Sequence, residues 1–325
     1  MCSTDETNLG DCKEHSTSMS QHKTSRRKHS KTEEHIPFKI VGYSVACERH
    51  IQRNEDSFII EKHNGLAAVF DGVGGSAAGE IASRTAARAT RQGWREALQQ
   101  VRKGRHVDSF LEDCDKTDFC VLLQSLIEKA DDLVRTEGAQ RAGTDDLATT
   151  VALAALCRES QKNEYTLVYA HVGDSRVYLL REHEPLKRLT IDDGLLGRLV
   201  ENQMVSEEDA RRIDQAMHVD DLSDLEFSYF RLRGGITQAL GGPLPPAIHV
   251  DQVSIVPGDR ILLCTDGIHD NLTDKEIEDT LRNGFRNSVA RLLVEQSLLR
   301  SRQERQDTIR AKPDDMSAIV MTCRF

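Results

Sequence analysis

Apolar residues first gather in short β-like runs and then in helical stripes, and the two periods alternate from residue 38 to the C-terminus. Residues 38–46, 57–61 and 66–70 are short runs divided by polar or glycine turns, and they predict strands. Residues 80–101 are alanine-rich, with Ile81, Ala82, Thr85, Ala86 and Ala89 on one side. Residues 109–140 set Phe119, Leu122, Leu123, Leu126 and Leu133 at helical spacing, so two long amphipathic helices are expected here. Strands return at 147–157, 165–172 and 176–181, and the turn chemistry of Gly173-Asp174-Ser175 predicts a hairpin between the last two. Residues 190–235 interrupt the series with two short amphipathic helices, 194–203 and 206–217, the second opened by Ser206 and an acidic first turn. A further strand pair is expected at 248–256 and 260–265 around Pro257-Gly258-Asp259. Helices at 273–282 and 288–302 follow, the first with a capping box from Thr273 to Glu276, and 317–323 alternates as a last strand. Hairpins punctuated by helix pairs predict an α+β protein of antiparallel sheets covered by helices, not a βαβ series.

Residues 1–36 are Ser, Thr, Lys, His and Glu with almost no large apolar side chain, so they cannot offset their own ordering entropy and are expected to form a disordered polar tail. The remaining 37–325 is long enough for one large domain, even with 38% apolar residues. A formal charge of −10 argues against general affinity for nucleic acid or anionic membrane. No run approaches a membrane span, and the first residues lack the apolar core of a secretory signal, so a cytoplasmic protein is expected. Eight cysteines without paired spacing, several inside apolar runs, read as reduced thiols in place of a zinc or disulfide framework.

Two Asp-Gly corners, Asp71-Gly72 and Asp266-Gly267, close apolar runs, each glycine permitting unusual backbone angles. Taken singly, each would be an ordinary turn. If folding brings them together, their carboxylates need a cation, and hard oxygen ligands imply magnesium or manganese. Glu55, Asp56, Asp174, Asp314 and Asp315 also fall at expected strand ends or turns.

These residues resemble the metal-dependent protein phosphatases, the type 2C serine/threonine phosphatase family, and especially its bacterial-type members. The resemblance spans about residues 38–325 and runs in family order through Arg53-Asn54-Glu55-Asp56-Ser57, Val69-Phe70-Asp71-Gly72-Val73-Gly74-Gly75, Ala148-Thr149-Thr150-Val151, Val172-Gly173-Asp174-Ser175-Arg176, Thr237-Gln238-Ala239-Leu240-Gly241, Cys264-Thr265-Asp266-Gly267-Ile268 and Asp314-Asp315-Met316-Ser317. It implies a four-layer αββα sandwich, two central antiparallel sheets flanked by helix pairs, with residues 190–235 as a flap beside the site. It also implies that Asp71 bridges two Mn2+ or Mg2+ ions. Asp266 and Asp314 would complete one ion's set, and the Gly72 carbonyl with Glu55 or Asp56 would serve the other. Asp174 would hold a weaker third ion, with Asp270 and Asp315 supporting the ligands. The implied reaction is hydrolysis of phosphoserine and phosphothreonine in proteins by a hydroxide bridging the cations, by a monomeric enzyme.

Two departures qualify the resemblance. Val73 stands where animal-type members carry a candidate acid histidine, and Ile51 where the family's phosphate-binding arginine is usual. Arg53 or Arg49 could substitute for that arginine, or be a solvated strand charge. His171 and His269 are weaker candidates for supporting or acid roles. The alternative function is a pseudophosphatase that binds a phosphoprotein without turnover, for which the missing arginine leaves room and against which the full Asp71, Asp266 and Asp314 set speaks.

Overall fold

Side chains along the central strands point alternately to two different cores, and this alternation stacks the chain into layers. The computed structural model describes residues 38–73, 77–104, 116–141, 147–159 and 164–324. The tail expected at 1–36 and residues 109–115 of the expected second helix lie outside them. The chain begins with β1 (Phe38–Val45), β2 (Ser57–Glu61), β3 (Leu66–Phe70) and the short β4 (Gly72–Val73), then α1 (Ala77–Gly104) and α2 (Lys116–Arg141). Next come β5 (Ala148–Thr149), β6 (Val151–Glu159), β7 (Glu164–Val172), β8 (Arg176–Leu180) and β9 (Lys187–Arg188). The insert carries α3 (Leu195–Glu201), α4 (Glu207–Asp214) and α5 (Asp224–Phe230), before β10 (His249–Ile255), β11 (Arg260–Cys264), α6 (Asp266–His269), α7 (Asp274–Asn283), α8 (Val289–Ser301) and β12 (Met316–Cys323).

Two five-stranded antiparallel sheets form, in the orders β1-β12-β11-β8-β9 and β10-β7-β6-β3-β2, with β4-β5 as a two-stranded ribbon. Ala67, Val69, Ala154 and Leu167 of one sheet meet Val177, Leu263 and Ile319 of the other in the central core. Their alternate neighbours Ala68, Phe70, Leu153 and Val168 pack outward against Ala86 and Trp94 of α1 and Leu123 and Ile127 of α2. On the far side Tyr178, Leu262 and Val320 pack against Ile277 of α7 and Leu293 of α8. The result is the αββα sandwich that the resemblance implied.

Two expected hairpins are not hairpins. β7 pairs with β6 and β10, whereas β8 pairs with β11 and β9, so the Gly173-Asp174-Ser175 turn carries the chain from one sheet to the other. The Pro257-Gly258-Asp259 turn does the same between β10 and β11. Turn residues signal a reversal but not the layer in which the chain resumes, and strands apolar on both faces must sit inside a sheet, β7 inside one and β8 and β11 inside the other. The strand expected at 147–157 is broken at Thr150, and α5 is an element that the sequence reading passed over. Its start is a capping box, Ser223 with Glu226.

The insert is tied down by buried charge. Arg176 at the head of β8 pairs with Asp192 at 2.6 Å and with Asp214 of α4 at 3.2 Å. Arg310 is fully buried and donates to the carbonyls of Asp214, Ala216, His269 and Leu272. Burial would raise the Asp192 and Asp214 carboxyls, but Arg176 and Arg188, with Arg310 beside Asp214, outweigh it and hold both below the ordinary range. Replacing Arg176 with Met leaves half-buried Asp192 and buried Asp214 to the longer contacts of Arg188, so urea unfolding of Arg176→Met is expected to show a loss of about 3 kcal/mol.

Candidate metal centre

Strand register brings the acidic residues to one end of the sandwich. Ser57 faces Phe70, which sets Asp56 and Asp71 side by side just beyond the paired ends of β2 and β3. Cys264 faces both Ala318 and Arg176, so Asp266, Asp314 and Asp174 lie just past the matching ends of β11, β12 and β8 in the other sheet. Asp266 opens the short helix α6, which the sequence reading took for a turn.

The Asp-Gly glycines serve close approach, not unusual backbone angles, since neither Gly72 nor Gly267 takes a positive φ. A Cβ on Gly267 would overlap the Asp315 carbonyl, and one on Gly72 would overlap the Gly79 carbonyl and sit 2.7 Å from that of Glu55. The main chain of Asp71 is clamped by the neighbouring threonines. Its carbonyl accepts from Thr150 N and Thr149 Oγ1, both at 2.8 Å, and Thr150 Oγ1 also meets Ser175 Oγ at 2.8 Å.

Across the sheets, Thr265 Oγ1 donates to Asp56 Oδ2 at 2.8 Å and accepts from Ser317 N at 3.0 Å. Asp315 is buried and accepts from the main-chain N–H groups of Cys47 and Glu55, both at 2.6 Å, which ties the loop before β2 to the start of β12. Asp270 is held by Lys312 Nζ at 2.8 Å and Arg233 Nε at 3.6 Å, and although burial opposes it, these cations and His269 keep its carboxyl well below the ordinary range.

The other carboxyls move the opposite way. Burial, then the charges of Asp266, Asp56, Asp314 and Asp174, push Asp71 well above the ordinary carboxylate range. Burial and Asp266 likewise raise Asp174, and burial outweighs the Thr265 and Ser317 hydrogen bonds to raise Asp56. Asp314 rises to about 7 through burial and Asp266, with Lys312 opposing. Buried Asp56 Oδ1 and Asp266 Oδ1 have no hydrogen-bond partner. Unpartnered oxygens among mutually repelling carboxylates are what hard divalent cations fit.

One cation of the chain already lies among them, and the sequence reading missed it. Lys312 Nζ is bonded to Asp266 Oδ2 and stands 3.2 Å from Asp314 Oδ2. Its place two residues before Asp314 was the available signal. Arg53 sits beside the cluster, with Nη2 3.0 Å from Glu55 Oε1, whereas Arg49 and Ile51 are exposed. His269 is buried, its Nε2 3.1 Å from the Asp174 carbonyl oxygen, and burial followed by Arg176 lowers it to about 4, so it is a neutral imidazole near pH 7. His171 lies apart from the carboxylates, stacked on His249. The five described cysteines form no disulfide with one another, and all but Cys120 are buried.

The Protein phosphatase 2C family matches residues 45–310. The serine/threonine phosphatase stp of Listeria monocytogenes serotype 4b is 25% identical over 234 residues, which are 72% of this chain and 78% of that one. The solved serine/threonine phosphatase PstP/Ppp of Mycobacterium tuberculosis superposes with a TM-score of 0.64 at 24% identity, covering 89% of this chain and 99% of that one. A PstP catalytic domain solved in complex with two manganese ions gives a TM-score of 0.59 at 23% identity, covering 88% and 97%. At these identities the solved structures speak to the fold alone. Among the described residues no helix is long and apolar enough to cross a membrane.

The raised carboxyls fix a pH dependence. A carboxyl raised on folding contributes stability that is present below its unfolded pKa and lost as pH rises through its folded value, so metal-free protein is expected to melt at lower temperature as pH rises through about 7. Scanning calorimetry in chelator checks this. Added Mn2+ should remove the fall.

Proposed function

The chain belongs to the protein phosphatase 2C family and is a serine/threonine phosphatase, and we propose that it hydrolyses phosphoserine and phosphothreonine in proteins with Mn2+ or Mg2+ held at the strand ends. The observation that carries the proposal is the meeting of Asp56, Asp71, Asp174, Asp266 and Asp314 as buried or half-buried, mutually repelling carboxyls, with Asp56 Oδ1 and Asp266 Oδ1 unpartnered. Asp71, Asp266 and Asp314 hold the ions together with the Gly72 carbonyl and Glu55 or Asp56, and Asp174 serves a weaker third position. When bound, two divalent cations activate a water for in-line attack on phosphorus and screen charge on the phosphoryl oxygens. Residues 37–325 form the catalytic domain in this reading, and the 190–235 flap, anchored by Arg176 and Arg310, contributes to substrate choice.

The chain's own groups supply the rest. Asp315 and Thr265 fix the loops that carry Glu55 and Asp56. Asp270 holds Lys312 against Asp266 and Asp314. Arg53, half-buried with its Nε unpartnered, takes the substrate phosphate in place of the arginine missing at position 51. Val73 offers no proton, so the leaving serine or threonine oxygen is protonated by water.

Assays on a phosphothreonine peptide with and without Mn2+ test this reading. Asp71→Asn and Asp266→Asn are expected to lose activity by about a hundredfold or more, consistent with removing electrostatic stabilisation at the reacting group. Wild-type protein that is inactive with both metals would contradict the proposal. Arg53→Ala is expected to raise KM about tenfold while Arg49→Ala leaves it unchanged, since a bidentate phosphate contact is worth on the order of 1.5–3 kcal/mol at most. Because Lys312 competes for Asp266 and Asp314, Lys312→Met is expected to bind Mn2+ several-fold more tightly and to melt lower without metal. Titration calorimetry and thermal melts read both effects.

A further inference from the structure

Apart from the carboxylate centre, the described residues contain a second group of metal-ligating side chains, at the root of the flap. His171 near the end of β7 and His249 at the start of β10 are direct cross-strand partners, and their rings stack 4.8 Å apart. Asp193, near the start of the flap, completes a trio in which one ligand atom from each residue lies within 4.8 Å of the others. His249 Nε2 is 3.0 Å from Asp193 Oδ1, and the His249 side chain is 48% exposed while that of Asp193 is 9% exposed.

The ring of His171 is the independent sign of a ligand. It is buried at 4% exposure, and its Nε2 lies 2.7 Å from the Ile191 carbonyl, to which it must donate. That bond fixes the tautomer and leaves Nδ1 with a free lone pair, and Nδ1 is a buried atom without a hydrogen-bond partner. Burial also holds His171 below the ordinary histidine range, as a neutral imidazole.

We infer that His171, His249 and Asp193 form a binding site for a zinc-class transition metal, separate from the carboxylate centre. Two imidazoles and one carboxylate are the donor set that selects Zn2+ over Mg2+ or Mn2+, and half-exposed His249 leaves a coordination position open to water. Closing a tetrahedral shell requires the ligand atoms to draw in to about 3.3 Å, which exposed His249 can accommodate by rotating. Asp193 retains its other links: Oδ2 accepts from Gly173 N at 2.9 Å, and Oδ1 also accepts from Gln238 Nε2 at 3.0 Å. Gly173 adjoins Asp174, so an ion here stiffens the turn that carries a carboxylate of the main centre.

The test is zinc uptake by equilibrium dialysis, with ZnCl2 added to the full chain in Mg2+ sufficient to fill the carboxylate centre. Wild-type protein is expected to take up one more zinc ion than His249→Ala and His171→Gln, with affinity in each variant weaker by on the order of tenfold or more. Wild-type protein should also melt higher with zinc, and His249→Ala should not. His249→Ala trims a half-exposed ring, so circular dichroism and phosphatase activity in Mg2+ without zinc should match wild type. Equal zinc uptake by wild type and His249→Ala overturns the inference, whatever the outcome of the phosphatase assays.

Discussion

Like charges crowded at the end of a two-sheet sandwich govern this molecule. The central core between the sheets fixes which strand ends coincide, and those ends carry Asp56 and Asp71 from one sheet and Asp174, Asp266 and Asp314 from the other. Left to themselves these carboxyls repel, and burial denies them water, so each of Asp56, Asp71, Asp174 and Asp314 holds its proton above the ordinary range. Lys312 offsets part of that repulsion, paired with Asp266, Asp270 and Asp314 and opposing the rise of Asp174. Divalent cations would offset the remainder, which makes metal binding and stability two readings of one interaction.

Around the charges the chain spends small residues and hydroxyls to keep the geometry fixed. Gly267 lets the start of α6 lie against the Asp315 carbonyl, and Gly72 lets β4 lie against the first turn of α1. Thr149 and Thr150 grip the main chain of Asp71, and Thr265 joins Asp56 to Ser317 across the sheets. Farther out, Arg176 and Arg310 bind the flap to the body through buried ion pairs and carbonyl contacts, so the flap is mounted on the same strands that carry the carboxylates.

The strands and long helices were legible because their side-chain periods are strong: Ala67 to Phe70 and Leu262 to Cys264 read as buried strands and are so. What could not be read was which layer each strand joins. A turn such as Gly173-Asp174-Ser175 encodes a reversal, and only the packing of both faces decides that the next strand belongs to the other sheet. The acidic residues were legible as a set through the order of the family motifs, and the structure brings them together. Lys312 was not, because beyond its place two residues before Asp314 one lysine among 43 basic residues carries no mark of what it will face. Nor were the reasons for Gly72 and Gly267, since a close approach is a property of two distant segments and not of a local sequence.

The most direct measurement is anomalous diffraction at the manganese edge from crystals grown with MnCl2. The account predicts anomalous peaks between the β3 and β11 ends, in contact with Asp71 and Asp266. Manganese found only elsewhere, with Asp71 and Asp266 contacting no ion, would contradict it.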